Sequence, residues 1–422
     1  GARAPRPANY LRMLLMLLLP AALFDSYDGE LRAVLLHQIQ QNFHVGVATL
    51  GLINIPIGAG QFVAFFVVAS ADRFGRRPIL LWSIIGYTAF TSLTACSWDI
   101  WSFAVFQFGA QVFVGAEFGV AVTLLSEEVP PEQRGRILAR LLMFSPIGAI
   151  LAGGLLAAGL LHNPIGWRMF FLVATIPLVI ASVARRRVRE SRVYLAEQAN
   201  ARTRPARRRE PVGVRVRRVL AIWSSPARGR LAAVCAIAFF QGLPAAAAVG
   251  WWTYYAEHER HLSNGLAGTF FAAAAAVSIG GYVVCGRLMD RIGRRPTAML
   301  YAGLAGAFAI GAFQVGSHVW MLVLLLGTAW FGVGVAPVLS AMAAELFPTE
   351  VRAEASAWIR NIVGNTGSVA GPALVGVLGA AGGLAGSVGN AASLLALCVV
   401  PVVVIVWTAI PETRGESLDA VR

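Results

Sequence analysis

Four ionisable residues sit within eight positions near the start of an otherwise apolar stretch: Asp25, Asp28, Glu30 and Arg32. Asp25, Asp28 and Arg32 follow i, i+3, i+7 spacing and therefore share one face of a helix. Asp28 and Arg32 stand one turn apart and can pair, which leaves Asp25 the less compensated. A fifth ionisable residue, Glu117, stands alone in Gly115-Ala116-Glu117-Phe118-Gly119. An ionisable side chain deep in a membrane span costs about 2.5–3.5 kcal/mol on insertion scales, so each one calls for a partner or a task. The tasks open to such carboxylates are exchange of a proton and contact with a polar solute. The plainer alternative is an ion-paired cluster that only fixes how helices pack.

The rest of the chain supplies the membrane setting. Of its 422 residues 57% are hydrophobic and 13% charged, and the mean hydropathy is +0.66. A water-surrounded fold of this size cannot hide that much apolar surface, so the chain is an integral membrane protein. All 35 basic residues are arginine, and the net charge is +14. Fifteen arginines against three glutamates lie between Arg185 and Arg230. Flanked by apolar segments, this basic stretch reads as a loop facing anionic lipid headgroups and not as a nucleic-acid surface. Cys96, Cys235, Cys285 and Cys398 sit singly and the six histidines are scattered. No disulfide, metal-ligand cluster or nucleophile–base set can be assembled from them. No metal, no cofactor and no enzymatic activity are expected.

A helix that spans the bilayer needs about 20 largely apolar residues. Candidates fall near 11–40, 47–70, 79–97, 101–127, 137–161 and 167–185, then 230–255, 267–288, 297–316, 319–344, 354–380 and 388–410. Strands of a membrane barrel would be about ten residues long and alternating, which these are not. The division is thus an N-terminal six-helix bundle (1–185), a basic linker (186–229) and a C-terminal six-helix bundle (230–422). The two halves share a hairpin, Asp72-Arg73-Phe74-Gly75-Arg76-Arg77-Pro78, which returns 218 residues later as Asp290-Arg291-Ile292-Gly293-Arg294-Arg295-Pro296. A charged hairpin repeated once per half between apolar segments marks a duplicated membrane protein. The arginines fall on one side if the helices alternate, which places both termini and the linker in the cytoplasm. Gly148, Gly153 and Gly154 in the fifth span match Gly364, Gly367 and Gly371 in the eleventh, where small residues let helices cross closely.

With these motifs the chain resembles the major facilitator superfamily of secondary transporters over nearly its whole length. The repeated hairpin looks like that family's signature between helices 2 and 3 and between 8 and 9, with Val68 where a glycine is usual. Ser126 to Arg136, Arg189 to Leu195, Glu345 to Arg352 and Pro411-Glu412-Thr413-Arg414-Gly415 resemble elements of the branch that holds sugar porters, metabolite–proton symporters and organic-ion transporters. Two prolines are missing from the second element, and Arg414 replaces a lysine. Phe24-Asp25-Ser26-Tyr27-Asp28 looks like the helix 1 motif of aromatic-acid and related proton symporters. Glu117 is similar to the helix 4 acid of metabolite symporters. Gln107 stands where proton-coupled relatives carry an arginine.

The resemblance implies an all-α polytopic fold of twelve transmembrane helices in two pseudo-symmetric six-helix bundles, with a solute site between them at mid-membrane. It implies proton coupling through Asp25, Asp28 and Glu117. Candidates for solute contact are Tyr27, Asn54 and Gln61 in the first half. In the second they are Gln241, Trp330 and Trp358, with Asn361 and Asn365, which share a helix face. Trp251, Trp252, Tyr254 and Tyr255 form either an interfacial belt or an outer gate. The hairpins are expected to work as a cytoplasmic latch, built from Asp72, Arg73, Gly75, Arg76 and Arg77 with Glu128 and Arg136, and from Asp290, Arg291, Gly293, Arg294 and Arg295. Exposed ion pairs give about 0–1 kcal/mol each, which suits a contact that must break. The expected activity is proton-coupled symport of a small polar organic metabolite, an organic acid or sugar-like solute, by alternating access. The alternatives are an uncoupled facilitator, a proton-antiport exporter of organic cations, and a non-transporting receptor or scaffold. The expected setting is a bacterial inner membrane, with the chain a monomer whose partners are solute, protons and lipid.

Overall fold

The computed structural model describes residues 8–129, 145–188, 220–348 and 351–412, with short pieces near 137 and 190–198. Arg136, most of the 186–229 linker and the side chain of Asp72 lie outside the described residues. The first half contributes α1 (Ala8–Val34), α2 (Leu36–Phe43), α3 (Val47–Leu52), α4 (Asn54–Phe74), α5 (Arg76–Ala95), α6 (Ile100–Glu128), α7 (Ser145–Ala157) and α8 (Arg168–Ala184). The second contributes α9 (Arg228–Tyr254), α10 (Asn264–Ile292), α11 (Arg294–Gln314), α12 (His318–Gly332), α13 (Val335–Glu345), α14 (Arg352–Ser356), α15 (Asn365–Leu378), α16 (Val388–Ala396) and α17 (Val399–Ala409). Wider π-helical turns follow α9 at Tyr255–Glu259 and α14 at Ala357–Gly364.

The architecture is all-α, and no strand occurs among the described residues. Eight of the described helical runs are long and apolar enough to cross a membrane, and two more apolar helices are shorter. The 29-residue α6 shows how the sequence sets such a run: Asp99 accepts from Ser102 N at 2.7 Å while Ser102 Oγ accepts from Asp99 N at 3.1 Å, a closed capping box. At 1.5 Å per residue this helix is about 43 Å long, enough to cross the hydrocarbon layer with a tilt.

The chain forms two compact units. One holds residues up to Arg32 and Pro56–Arg209; the other holds Ala33–Ile55 and Glu210–Arg422. The second unit thus takes in the hairpin made by the end of α1, α2 and α3. Its limits fall near two helix interruptions, at Leu35 and Ile53. Within the first unit α4 packs on α6 through small residues. A Cβ on Gly60 would stand 2.6 Å from Phe108 O, and one on Gly119 would stand 2.7 Å from a Val68 methyl. Gly119 therefore makes the room that the family's usual glycine at position 68 would have left.

The two repeated hairpins are built alike. Gly75 and Gly293 both adopt φ +103°, a conformation that side-chain-bearing residues avoid. Beyond each turn a carboxylate from far along the chain caps the next helix. Glu190 accepts from Arg76 N at 2.9 Å, and Glu412 accepts from Arg294 N at 2.9 Å and Arg295 N at 3.0 Å. A negative charge on exposed N–H groups at a helix start is favourable for both the dipole and the hydrogen bonds. Arg76 pairs with Glu127 at 2.9 Å and Arg294 with Glu345 at 3.0 Å. Glu127, which directly precedes the latch candidate Glu128, is an acid that Arg76 meets, and both ion pairs stay within their own unit. Arg294 also stands 3.6 Å from the exposed Asp290, while Arg73 and Arg291 are exposed.

Candidate functional site

α6 carries Glu117 into the middle of the first unit, where the residue is 1% exposed. Its partner is Arg185, just past the end of α8, with Nη2 2.6 Å from Glu117 Oε1. By composition Arg185 opens the arginine-rich stretch that runs to Arg230; in the structure its side chain turns inward and is 1% exposed. An arginine at a helix C-terminus suits the dipole. Burying either charge alone would cost several kcal/mol, so the two ions stabilise each other's burial. Where family resemblance placed an arginine on helix 4, Gln107 instead donates to Thr94 Oγ1 at 3.2 Å. The guanidinium for the helix 4 acid comes from another helix. Glu117, read from sequence as a lone carboxylate, is paired.

The pair leaves much of its bonding capacity open. Glu117 Oε2, Arg185 Nε and Arg185 Nη1 are buried with no hydrogen-bond partner. Asp25 Oδ1 and Asp28 Oδ1 are in the same condition. The charges acting on Asp25 are those of Glu117, Arg185 and Asp28. The expected Asp28–Arg32 ion pair does not form among the described residues. One turn of separation permits such a contact, but the two side chains do not meet in it.

α1 is held in place here by backbone contacts. Tyr87 donates to Phe24 O at 3.0 Å, and Tyr27 donates to Phe170 O on α8 at 2.8 Å. Gly148 of α7 lies so close that a Cβ would stand 2.4 Å from Leu23 O and 2.6 Å from Tyr27 N. The hydroxyl of Tyr27 is thus already engaged with α8. Gln61, two turns into α4, donates to Gln111 Oε1 on α6 at 3.0 Å.

The second unit disperses its solute-contact candidates. α9 and α15 touch backbone to backbone: a Cβ on Gly242 would stand 2.9 Å from Ser368 N, and one on Gly367 would stand 2.4 Å from Phe239 O. Gln241 and Asn365 flank that crossing, and Gln241 Oε1 and Asn365 Nδ2 are buried without partners. Asn361, in the π-helical turn, is exposed. Trp330 fills the space beside Gly280 and Gly281 of α10. Trp358 packs edge-on against Trp223, with ring centroids 5.3 Å apart. Asn54 donates to Leu50 O and Gly51 O, binding its own chain at the α3–α4 break. Trp251, Trp252, Tyr254 and Tyr255 are each 0–1% exposed, so they form no interfacial belt. Trp251 Nε1 donates to Pro372 O at 2.9 Å.

Comparison with known proteins agrees with this architecture. The sequence model of the Major Facilitator Superfamily matches residues 18–312 and 234–420. The chain is 25% identical to the niacin transporter NiaP of Acinetobacter baylyi, over 94% of this chain and 93% of that protein. It is 28% identical to the 3-(3-hydroxy-phenyl)propionate transporter of Escherichia coli, over 82% of this chain and 80% of that protein. Among solved structures a D-xylose-proton symporter superposes with a TM-score of 0.75 at 16% identity, covering 97% of this chain and all of that one.

Proposed function

Because the chain belongs to the Major Facilitator Superfamily and is a membrane transporter, not an enzyme, we propose that it is a proton-coupled symporter of small organic acids. One observation carries this reading: the buried Glu117–Arg185 pair beside Asp25, with unfilled bonding positions on all three side chains. Two carboxylates against one guanidinium leave one negative charge in excess. A single proton removes that excess, and a proton is the coupling ion most easily accepted there. The open Nε and Nη1 of Arg185 point to different sides of the guanidinium, and each can donate a charge-assisted hydrogen bond to an oxygen of an incoming carboxylate. Solute and proton then favour each other. A protonated acid frees the guanidinium for the solute's carboxylate. With one proton the loaded site carries the same single negative charge as the empty unprotonated one; a second proton makes it neutral and cheaper to move through a low-dielectric layer.

The relatives favour this class of solute, since niacin and 3-(3-hydroxyphenyl)propionate are both aromatic carboxylic acids. We propose that Gln241 and Asn365 contact the solute in the second unit through their open amide groups. Alternating access exposes the charged site to each side in turn. The test is proton movement on substrate addition. Proteoliposomes without an imposed gradient, given niacin or 3-(3-hydroxyphenyl)propionate, should alkalinise the outer medium, and Glu117→Gln should abolish the signal. Solute uptake with no proton movement would instead favour an uncoupled facilitator.

A further inference from the structure

A second polar cluster lies in the second unit, where the Ala33–Ile55 hairpin meets the end of α9; Glu257 is buried in it, His37 and Gln38 are half-buried, and His258 is exposed. His37 of α2 faces His258 of the π-helical turn, with ring centroids 5.4 Å apart, and both rings pack near Tyr254. One residue on, Gln38 Nε2 donates to Glu257 Oε2 at 2.6 Å. His37 Nδ1, Gln38 Oε1 and Glu257 Oε1 are buried and unpartnered, and Glu257 as a whole is 7% exposed. The amide nitrogen of Gln41 lies 3.0 Å from His37 Nε2. An amide N–H can only donate, so that ring nitrogen accepts and the imidazole is neutral in this arrangement.

The neighbouring charges are otherwise engaged. Glu259 accepts from Val388 N and Gly389 N, and Arg260 donates to Tyr255 OH and Gln314 O. His44 and His261 are exposed, Arg32 precedes His37 on α1, and α3, α15 and α16 carry no ionisable side chain. All six histidines, His37, His44, His162, His258, His261 and His318, stand at the ends of spans opposite the arginine hairpins. Histidine is the side chain whose ordinary titration falls in the physiological range.

We propose that the His37–His258 pair and the Gln38–Glu257 hydrogen bond form an acid-sensitive latch, which pins the Ala33–Ile55 hairpin to α9 and releases it when both imidazoles are charged. Protonating His37 turns Nε2 into a donor facing the Gln41 donor, and a second charge on His258 adds like-charge repulsion across the rings. The hairpin has two places to bend, at the helix interruptions at Leu35 and Ile53. This latch does not depend on proton coupling at Glu117.

The test needs no substrate. In the full chain with its four cysteines replaced by serine, spin labels go on Gly46→Cys and Gly316→Cys. A Cβ at either position meets nothing within 4 Å. Distances are read between pH 8 and pH 5. The separated population should grow by up to about a hundredfold per pH unit below about 6.5, as two added protons in the released state require. His37→Gln and His258→Gln, each made singly, should flatten that response. A distance distribution unchanged from pH 8 to pH 5 overturns the proposal, and so does the same response in both histidine variants.

Discussion

Glu117 Oε1 lies 2.6 Å from Arg185 Nη2, with both side chains at most 2% exposed. The acid comes from the interior of α6 and the base from beyond the end of α8, 68 positions later. Each ion is tolerable in the interior only because the other is there, and that makes the pair open to test.

Removing one partner is expected to be worse than removing both. Arg185→Gln leaves a buried carboxylate unpaired and should cost about 3–5 kcal/mol of stability in detergent, while Glu117→Gln with Arg185→Gln should recover most of it. Thermal unfolding of the three proteins, with the singles compared against the double, measures the coupling.

Helix crossings give a sharper contrast between neighbouring glycines. Gly148→Val forces a side chain onto Leu23 O and Tyr27 N, which lie within 2.6 Å of its Cβ position. Overpacking of that kind costs about 1–3 kcal/mol or more. Six residues on, Gly154→Ala meets nothing within 4 Å, and should be neutral or stabilising by up to about 1 kcal/mol. Equal melting temperatures for the two variants would contradict the close α1–α7 contact.

The hairpin carboxylates should behave as matched caps. Glu190→Gln and Glu412→Gln each replace a charged acceptor at a helix start by a neutral one, at about 0.5–2 kcal/mol. The sites belong to different units, so the double variant should show the sum of the two losses in melting experiments.

Asp99 provides a pH test outside the membrane. Hydrogen bonds from Ser102 hold its carboxyl below the usual carboxylate range. A lowered folded-state value means that the cap's contribution is present above the unfolded value, about 3.9, and is lost as pH falls through the folded one. The melting temperatures of the parent and Asp99→Ala should therefore differ at pH 7 and converge towards pH 3. A gap that persists at pH 3 would exclude the ionised cap.

Much of this was legible in residue order. The spans follow from runs of apolar residues, and the paired hairpins from seven positions repeated with one change. Glu117 and Asp25 declared themselves by their cost in an apolar setting. Their electrostatic partner did not. Arg185 begins a run of three arginines, and nothing in such a run says that the first turns inward; only its place directly after an apolar helix hinted at it. The aromatic cluster at Trp251–Tyr255 was similarly ambiguous, because belts and buried gates use the same residue types. The hairpin's membership in the second unit rests on backbone approach between Gly51 and Gly376, 2.7 Å from a Cβ position to Cα. Two glycines so far apart carry no mutual signal in a single sequence.

Substrate accumulation against an imposed gradient tests the central claim most directly. Proteoliposomes holding the purified protein are given labelled niacin or 3-(3-hydroxyphenyl)propionate, with the outside more acid than the inside or with no gradient. Proton-coupled symport through Glu117 and Asp25 predicts accumulation above equilibrium only with the gradient, lost in Glu117→Gln and Asp25→Asn. Uptake of the same extent with and without the gradient, unchanged in both variants, would contradict it.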